Sequence, residues 1–284
     1  MNRLISVTLG CLCIIYAAQC ATLNQTVSAA VSTSMTKVNA TIVTFNSTVA
    51  SAETSALAAL IAFATVVNQT IYPLLTKYSA YGVNATQVKT AIAGISEQLD
   101  DAKQTLQTFN SNLFTAAITP VLAQVQIINQ TLNNAAVNLT TLSLTGGKNS
   151  VTCLTKYGAM LSQAPVSVDR INTCITAEVP RISALATNVT TIFSMAQTVA
   201  TQMLSLINIC SPVPNQACVQ QFYTQFSTVG SDAYNMLELF NGFSAFSNTI
   251  SFRLGRCAAL VSADISVLSL SYTNSFVKCL TTGS

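Results

Sequence analysis

Between positions 31 and 66 the apolar residues fall on one stripe. Val31, Met35, Val38, Ile42, Phe45, Val49, Ala52, Ala56, Ala59, Phe63 and Val66 alternate steps of four and three. A strand repeats every two residues, so this spacing predicts an α-helix with a narrow apolar seam. The positions between are mostly Ser, Thr, Asn and Ala. Such a helix leaves its seam in water unless other helices cover it. The chain is therefore expected to be all-α, with an elongated bundle or coiled-coil-like N-terminal half.

The first helix is expected over 25–72, on the order of 70 Å if straight, and Tyr72-Pro73 should disturb its end. Residues 79–83 read as a turn. Asn84 then reads as the cap of a second helix, with Gln87 as its capping-box partner. The second seam is Val88, Ile92, Ile95, Leu99, Ala102, Leu106, Phe109, Leu113 and Ala116. Thr119-Pro120 reads as a cap followed by a first-turn proline. A third seam runs through Val121, Val125, Ile128, Leu132, Ala135, Leu139 and Leu142, one residue out of phase with the second. The slip fits a break or a kink at Pro120, and Gly146-Gly147 closes the section.

The flanks of these seams carry almost none of the Glu/Lys pairs that select partners in zippers. Ala52, Ala56 and Ala59 permit close helix approach. An intramolecular antiparallel bundle is the first expectation and self-association into a rod the second. Lipid binding ranks below the bundle, because it calls for a polar face rich in Lys and Arg.

Only 7% of the 284 residues are charged, against a usual quarter, while 50% are hydrophobic. Hydroxyls, amides or sugars must therefore wet the surface. The formal charge of +3 is scattered, which excludes a nucleic-acid surface built on clustered Lys and Arg. Glu97, Asp100, Asp101 and Lys103 form the densest charged group and read as a solvated helix face. The chain has no His and no Trp. The commonest general base and metal ligand is thus missing. A Ser-Lys hydrolase would need a motif that is not found. No catalytic residue, metal ligand or cofactor is expected, and the chain is read as a non-enzyme.

Residues 1–20 have an export pattern: Arg3, an apolar run over 4–18, and Ala18-Gln19-Cys20 ahead of a cut at Ala21. The run is shorter than the roughly 20 residues of a span. No second membrane segment and no stable membrane anchor are expected, so the protein reads as secreted and extracellular. The acceptor pattern Asn-x-Ser/Thr occurs at Asn24, Asn39, Asn46, Asn68, Asn84, Asn129, Asn138 and Asn188. None of these lies on a seam position, so each could carry sugar without breaching the core. The organisation is then a signal peptide over 1–20, long amphipathic helices over 21–147, and a six-cysteine helical region over 148–284.

Past the leader the cysteines are Cys153, Cys174, Cys210, Cys218, Cys257 and Cys279. An even count in an oxidising compartment predicts three disulfides. Zinc binding is disfavoured, since no Cys-x-x-Cys and no His is present. Six cysteines permit fifteen pairings. The spacings of 21, 36, 8, 39 and 22 residues are nearly palindromic. Neighbour pairing is the expectation: Cys153 with Cys174, Cys210 with Cys218, and Cys257 with Cys279. Helices are expected over 167–177, from Pro180 onward, and over 219–229, 233–252 and 258–278, with Gly230 and Gly255 as separators. Phe222, Phe226, Phe240, Phe243, Phe246 and Phe252 gather in one region. They read as core, with a pocket for a small apolar ligand as the second reading.

Cys153-Leu154-Thr155-Lys156-Tyr157, followed by Cys174, resembles the cysteine pattern of insect secreted proteins with a TsetseEP domain, and the 257–279 segment is similar in kind. The resemblance covers about residues 150–280. It implies an extracellular helical arthropod protein, in some members of the gut, and brings no catalytic residues. The expected function is a secreted, glycosylated, non-enzymatic protein with a structural or interaction role in an extracellular or gut-lumen setting. A carrier of a small apolar ligand or lipid is the alternative.

Overall fold

The computed structural model describes the backbone of residues 2–73, 76, 85–209 and 216–283. Side chains are described for 21–73, 76, 93–94, 96–202, 204–205, 216–218, 220–221, 224, 242 and 245–283. The expected turn at 79–83 and the Asn84 cap lie outside these residues. Among the described residues the fold is all-helical, with no strand.

Helix α1 spans Asn2–Val66 and runs into a π-helical turn at Val67–Ile71. Helix α2 (Ala85–Leu113) runs into a second π turn at Phe114–Ile118, and helix α3 (Thr119–Thr145) continues from it. Both π turns end two residues before a proline, Pro73 and Pro120. Proline has no N–H to bond four residues back, and its ring crowds that carbonyl. A π turn absorbs one extra residue while keeping the ladder going. This is the one-residue phase slip read at Pro120: the buried line passes from Leu113 through Ala117 to Val121, leaving Ala116 exposed. Thr119 is not the cap, since Ile118 holds that position without a side-chain bond.

A short 3-10 turn (Gly147–Asn149) leads to α4 (Ser150–Gln163), and another (Ala164–Val168) leads to α5 (Asp169–Ile209). Helix α6 covers Gln216–Thr282. Three expected boundaries are absent. Helix α5 runs through Pro180, and α6 runs through Gly230 and Gly255. A glycine in a helix costs only about 1 kcal/mol, which packing along a long helix outweighs.

The chain forms two compact units. The first combines α1 up to Phe45, residues 116–177 and residues 251–284. Val27, Val31, Val38, Ile42, Leu132, Leu139, Ile171 and Ile265 fill its core. Ser34 is buried among them, and its hydroxyl donates to the carbonyl of Pro165 at 3.1 Å. The second unit comprises residues 46–115 and 178–250. Its core holds Val49, Leu60, Leu99, Leu106, Ile182 and Val189, with Phe63 and Phe193 ring centroids 6.2 Å apart. Each unit thus draws on both sides of residue 147.

The buried line on α1 departs from the expected heptad seam. Ser34, Leu60 and Val67 are buried, whereas Met35, Ala59 and Val66 are half-buried. The buried positions instead repeat every eleven residues: Val27, Val38, Val49, Leu60 and Ile71 form one row, and Ser34, Phe45, Ala56 and Val67 another. The same interval links Leu106, Ala117, Ile128 and Leu139, then Ile171, Ile182 and Phe193, then Leu254, Ile265 and Phe276. Eleven residues in three turns is about 3.67 per turn, close to the relaxed helix, whereas a strict heptad stripe drifts about 20° per repeat. The helices keep near-relaxed winding, and the stripe steps forward by one residue where a heptad would not.

Candidate functional site

The first unit carries the covalent framework. Cys153 is joined to Cys279 and Cys174 to Cys257, with α-carbons 5.8 and 6.5 Å apart. Neighbour pairing of these four is therefore overturned. Residues 150–177 run antiparallel to the end of α6, so the first cysteine meets the last and the bonds nest. Cys218 is also disulfide-bonded, while Cys210 lies outside the described residues.

Contacts beside the bonds fix the same register. Tyr157 meets Phe276 edge to face at 6.3 Å, and the Asn149 amide donates to the Leu280 carbonyl at 3.1 Å. Lys37 pairs with Asp169 at 3.4 Å, and Arg170 pairs with Asp264. Both pairs bridge segments far apart in sequence, and nothing in the chain order announces them.

The surface hydroxyls of α1 turn inward. Thr26, Thr33, Thr36, Thr41, Thr44, Thr54 and Thr65 each donate to the carbonyl four residues earlier. This leaves lone pairs, rather than hydrogens, facing out. Among the acceptor asparagines, Asn24, Asn39, Asn68, Asn138 and Asn188 are exposed. Asn46 and Asn129 are half-buried, and Asn129 Oδ1 accepts a bond from the Asn133 amide at 2.8 Å. Asn84 lies outside the described residues.

Of the six phenylalanines read as core or pocket, the side chains of Phe222, Phe226, Phe240 and Phe243 lie outside the described residues. Phe246 is half-buried, and Phe252 is exposed beneath the Arg256 guanidinium at 5.3 Å. Among the described residues, shallow grooves lie elsewhere. One of about 260 Å³ lies in the first unit between Leu23 and Gly158. One of about 280 Å³ lies in the second, bordered by Leu60, Asn68, Asp100 and Lys103.

In the second unit, burial raises the Glu53 carboxyl above its ordinary value, against a backbone hydrogen bond from Asn110 that lowers it. Glu178 is buried and bonded to Arg181 at 3.0 Å. Glu97, Asp100, Asp101 and Lys103 are exposed, as a solvated face requires. Among the described residues no three His, Cys, Asp or Glu side chains converge on a metal position.

Ala21–Ile71, Ser96–Thr145 and Ala245–Thr282 are long and apolar enough, by length and composition, to cross a membrane. Ser96–Thr145 and Ala245–Thr282 run past Pro120 and Gly255, which the sequence offers as a break or kink and as a separator. Sequence reading also missed the outer face of α6, where Phe252, Leu260, Val267 and Leu270 stand exposed. The signal was present as a second apolar periodicity opposite the first. No family model, curated protein or solved structure matches the chain.

Proposed function

We propose that this chain is an exported, glycosylated helical protein that acts as a structural or interaction component and not as an enzyme. The paired cysteines of the first unit carry this reading. Two cross-links joining segments 126 and 83 residues apart suit an oxidising compartment, where such bonds persist. The export pattern of residues 1–20 and the resemblance of residues 150–280 to TsetseEP-domain proteins point the same way.

The surface supports the reading. Charged residues are sparse, and threonine hydroxyls are bonded to their own helix. Sugars at the exposed asparagines would supply the hydration that charges supply elsewhere. Protein secreted from eukaryotic cells tests this directly. It is expected to migrate faster after peptide-N-glycosidase treatment and more slowly after reduction. Native protein with free thiols and no mobility change on glycosidase treatment overturns the proposal.

A further inference from the structure

The end of α6 has two apolar faces. Leu254, Ile265 and Phe276 follow one another at eleven-residue intervals and are buried in the first unit. Arg256, Val267 and Lys278 repeat at the same interval two residues later, about 200° around the helix. On that opposite side Phe252, Leu260, Val267 and Leu270 are 62, 71, 66 and 63% exposed. With Val277 they form a stripe roughly 37 Å long. A contiguous exposed stripe of large side chains marks an interaction surface.

Charge indicates what the stripe meets. From Ala21 on, the first unit holds two acids, Asp169 and Asp264, bonded to Lys37 and Arg170 respectively. Lys148, Lys156, Arg253, Arg256 and Lys278 belong to the same unit, an excess of five positive charges. The other unit has the reverse balance, four cations against seven acids. This polarity is hidden in the linear sequence, because the basic unit is assembled from three separated segments. Arg256 and Lys278 stand on the stripe near its two ends, and the single acid of that stretch, Asp264, is held by Arg170. None of the eight glycan acceptor sites lies on α6.

We propose that the outer face of α6, from Phe252 to Val277, docks the basic unit onto an anionic lipid surface. The apolar side chains enter the headgroup boundary, and Arg256 and Lys278 meet lipid phosphate or carboxylate. Interfacial binding combines buried apolar side chains with Lys and Arg that attract anionic headgroups. It deepens the interaction role proposed above and rests on that reading.

Vesicle flotation of the full disulfide-bonded chain tests it, with phosphatidylcholine alone and with added phosphatidylserine. Binding is expected only with phosphatidylserine and should weaken steeply in 0.5 M salt, where screening shortens to a few ångströms (~4 Å). Leu260→Ser with Leu270→Ser should lower binding about tenfold or more, while each of Arg256→Gln and Lys278→Gln should lower it about fivefold. Val43→Ser, on an exposed part of α1 in the same unit, should leave binding unchanged, and unaltered melting temperatures would show that the variants fold. Equal binding to neutral vesicles, or stripe variants that bind as the parent does, overturns the proposal. So does a dimer in light scattering that Leu260→Ser with Leu270→Ser dissolves, which would give this face to a second copy. A glycosylated, cross-linked protein that ignores vesicles ends the lipid proposal alone, whereas a sugar-free protein with free thiols ends the export reading whatever the vesicles show.

Discussion

Cys153 and Cys279, 126 residues apart in sequence, are bonded with their α-carbons 5.8 Å apart, and the Cys174–Cys257 bond nests inside this loop. The nesting makes a specific chemical prediction. Trypsin cleaves after Lys148, Lys156, Arg170, Arg181, Arg256 and Lys278. An unreduced digest should join peptide 149–156 to 279–284 and peptide 171–181 to 257–278. Neighbour pairing would instead join 149–156 to 171–181 and 257–278 to 279–284. Mass spectrometry separates the two sets.

The stability consequence follows from the loops. With the inner bond in place, the outer bond closes a ring of about forty residues, worth about 4 kcal/mol in the chain-entropy account. Cys153→Ala with Cys279→Ala should lower the unfolding free energy by that order in denaturant titration. A loss below about 1 kcal/mol would mean that helix packing alone sets the register.

The eleven-residue period is tested by neighbours on α1. Leu60 is buried, whereas Val66, which a heptad seam would bury, is only half-buried. Leu60→Ala should cost about 2–5 kcal/mol through the lost apolar contact and the cavity left behind. Val66→Ala should cost less than about 1 kcal/mol. The reverse order in thermal or denaturant unfolding would restore the heptad.

Much of the fold was legible because the helical signal is dense. The buried residues Val31, Val38, Ile42, Phe45 and Val49 were identified from spacing alone. Met35, Ala59 and Val66 were placed wrongly for one reason: the heptad and eleven-residue readings differ by only about one position every few turns. The palindromic cysteine spacing was visible but read locally. A palindrome is what a chain shows when it doubles back and bonds at matching distances from the turn, so it marks nested pairs. Pro180, Gly230 and Gly255 look like boundaries because their local costs are known, whereas the packing that overrides those costs is non-local. The Arg170–Asp264 pair and the charge excess of the first unit depend on which distant segments meet, and no window along the chain contains both partners.

Two glycines should respond with opposite signs. Gly147 has φ +70°, a left-handed conformation costly for any residue with a Cβ. Gly147→Ala should therefore destabilise by about 1–2 kcal/mol, even though no atom lies within 4 Å of the added carbon. Gly94 sits inside α2, also with open space around the added carbon. Gly94→Ala should stabilise by about 0.5–1 kcal/mol by restricting the unfolded chain. Equal shifts in melting temperature for the two variants would contradict the assigned backbone at Gly147.

Glu53 makes the stability of the second unit depend on pH. Burial lifts its carboxyl above the ordinary value of 4.5, and the opposing hydrogen bond from Asn110 does not cancel the effect. The folded state thus holds this proton more tightly than the unfolded chain does. The group favours folding most below the unfolded value, and that contribution is lost as pH rises through 4.5 to the raised folded value. Above that window the carboxylate is charged and partly desolvated, so it opposes folding. Glu53→Gln keeps the shape and removes the titration. It should gain stability over the parent at pH 7, and the gain should shrink as pH falls toward 4. Paired denaturant titrations at both pH values measure this difference, and a gain independent of pH would show that Glu53 is solvated as fully in the folded chain as in the unfolded one.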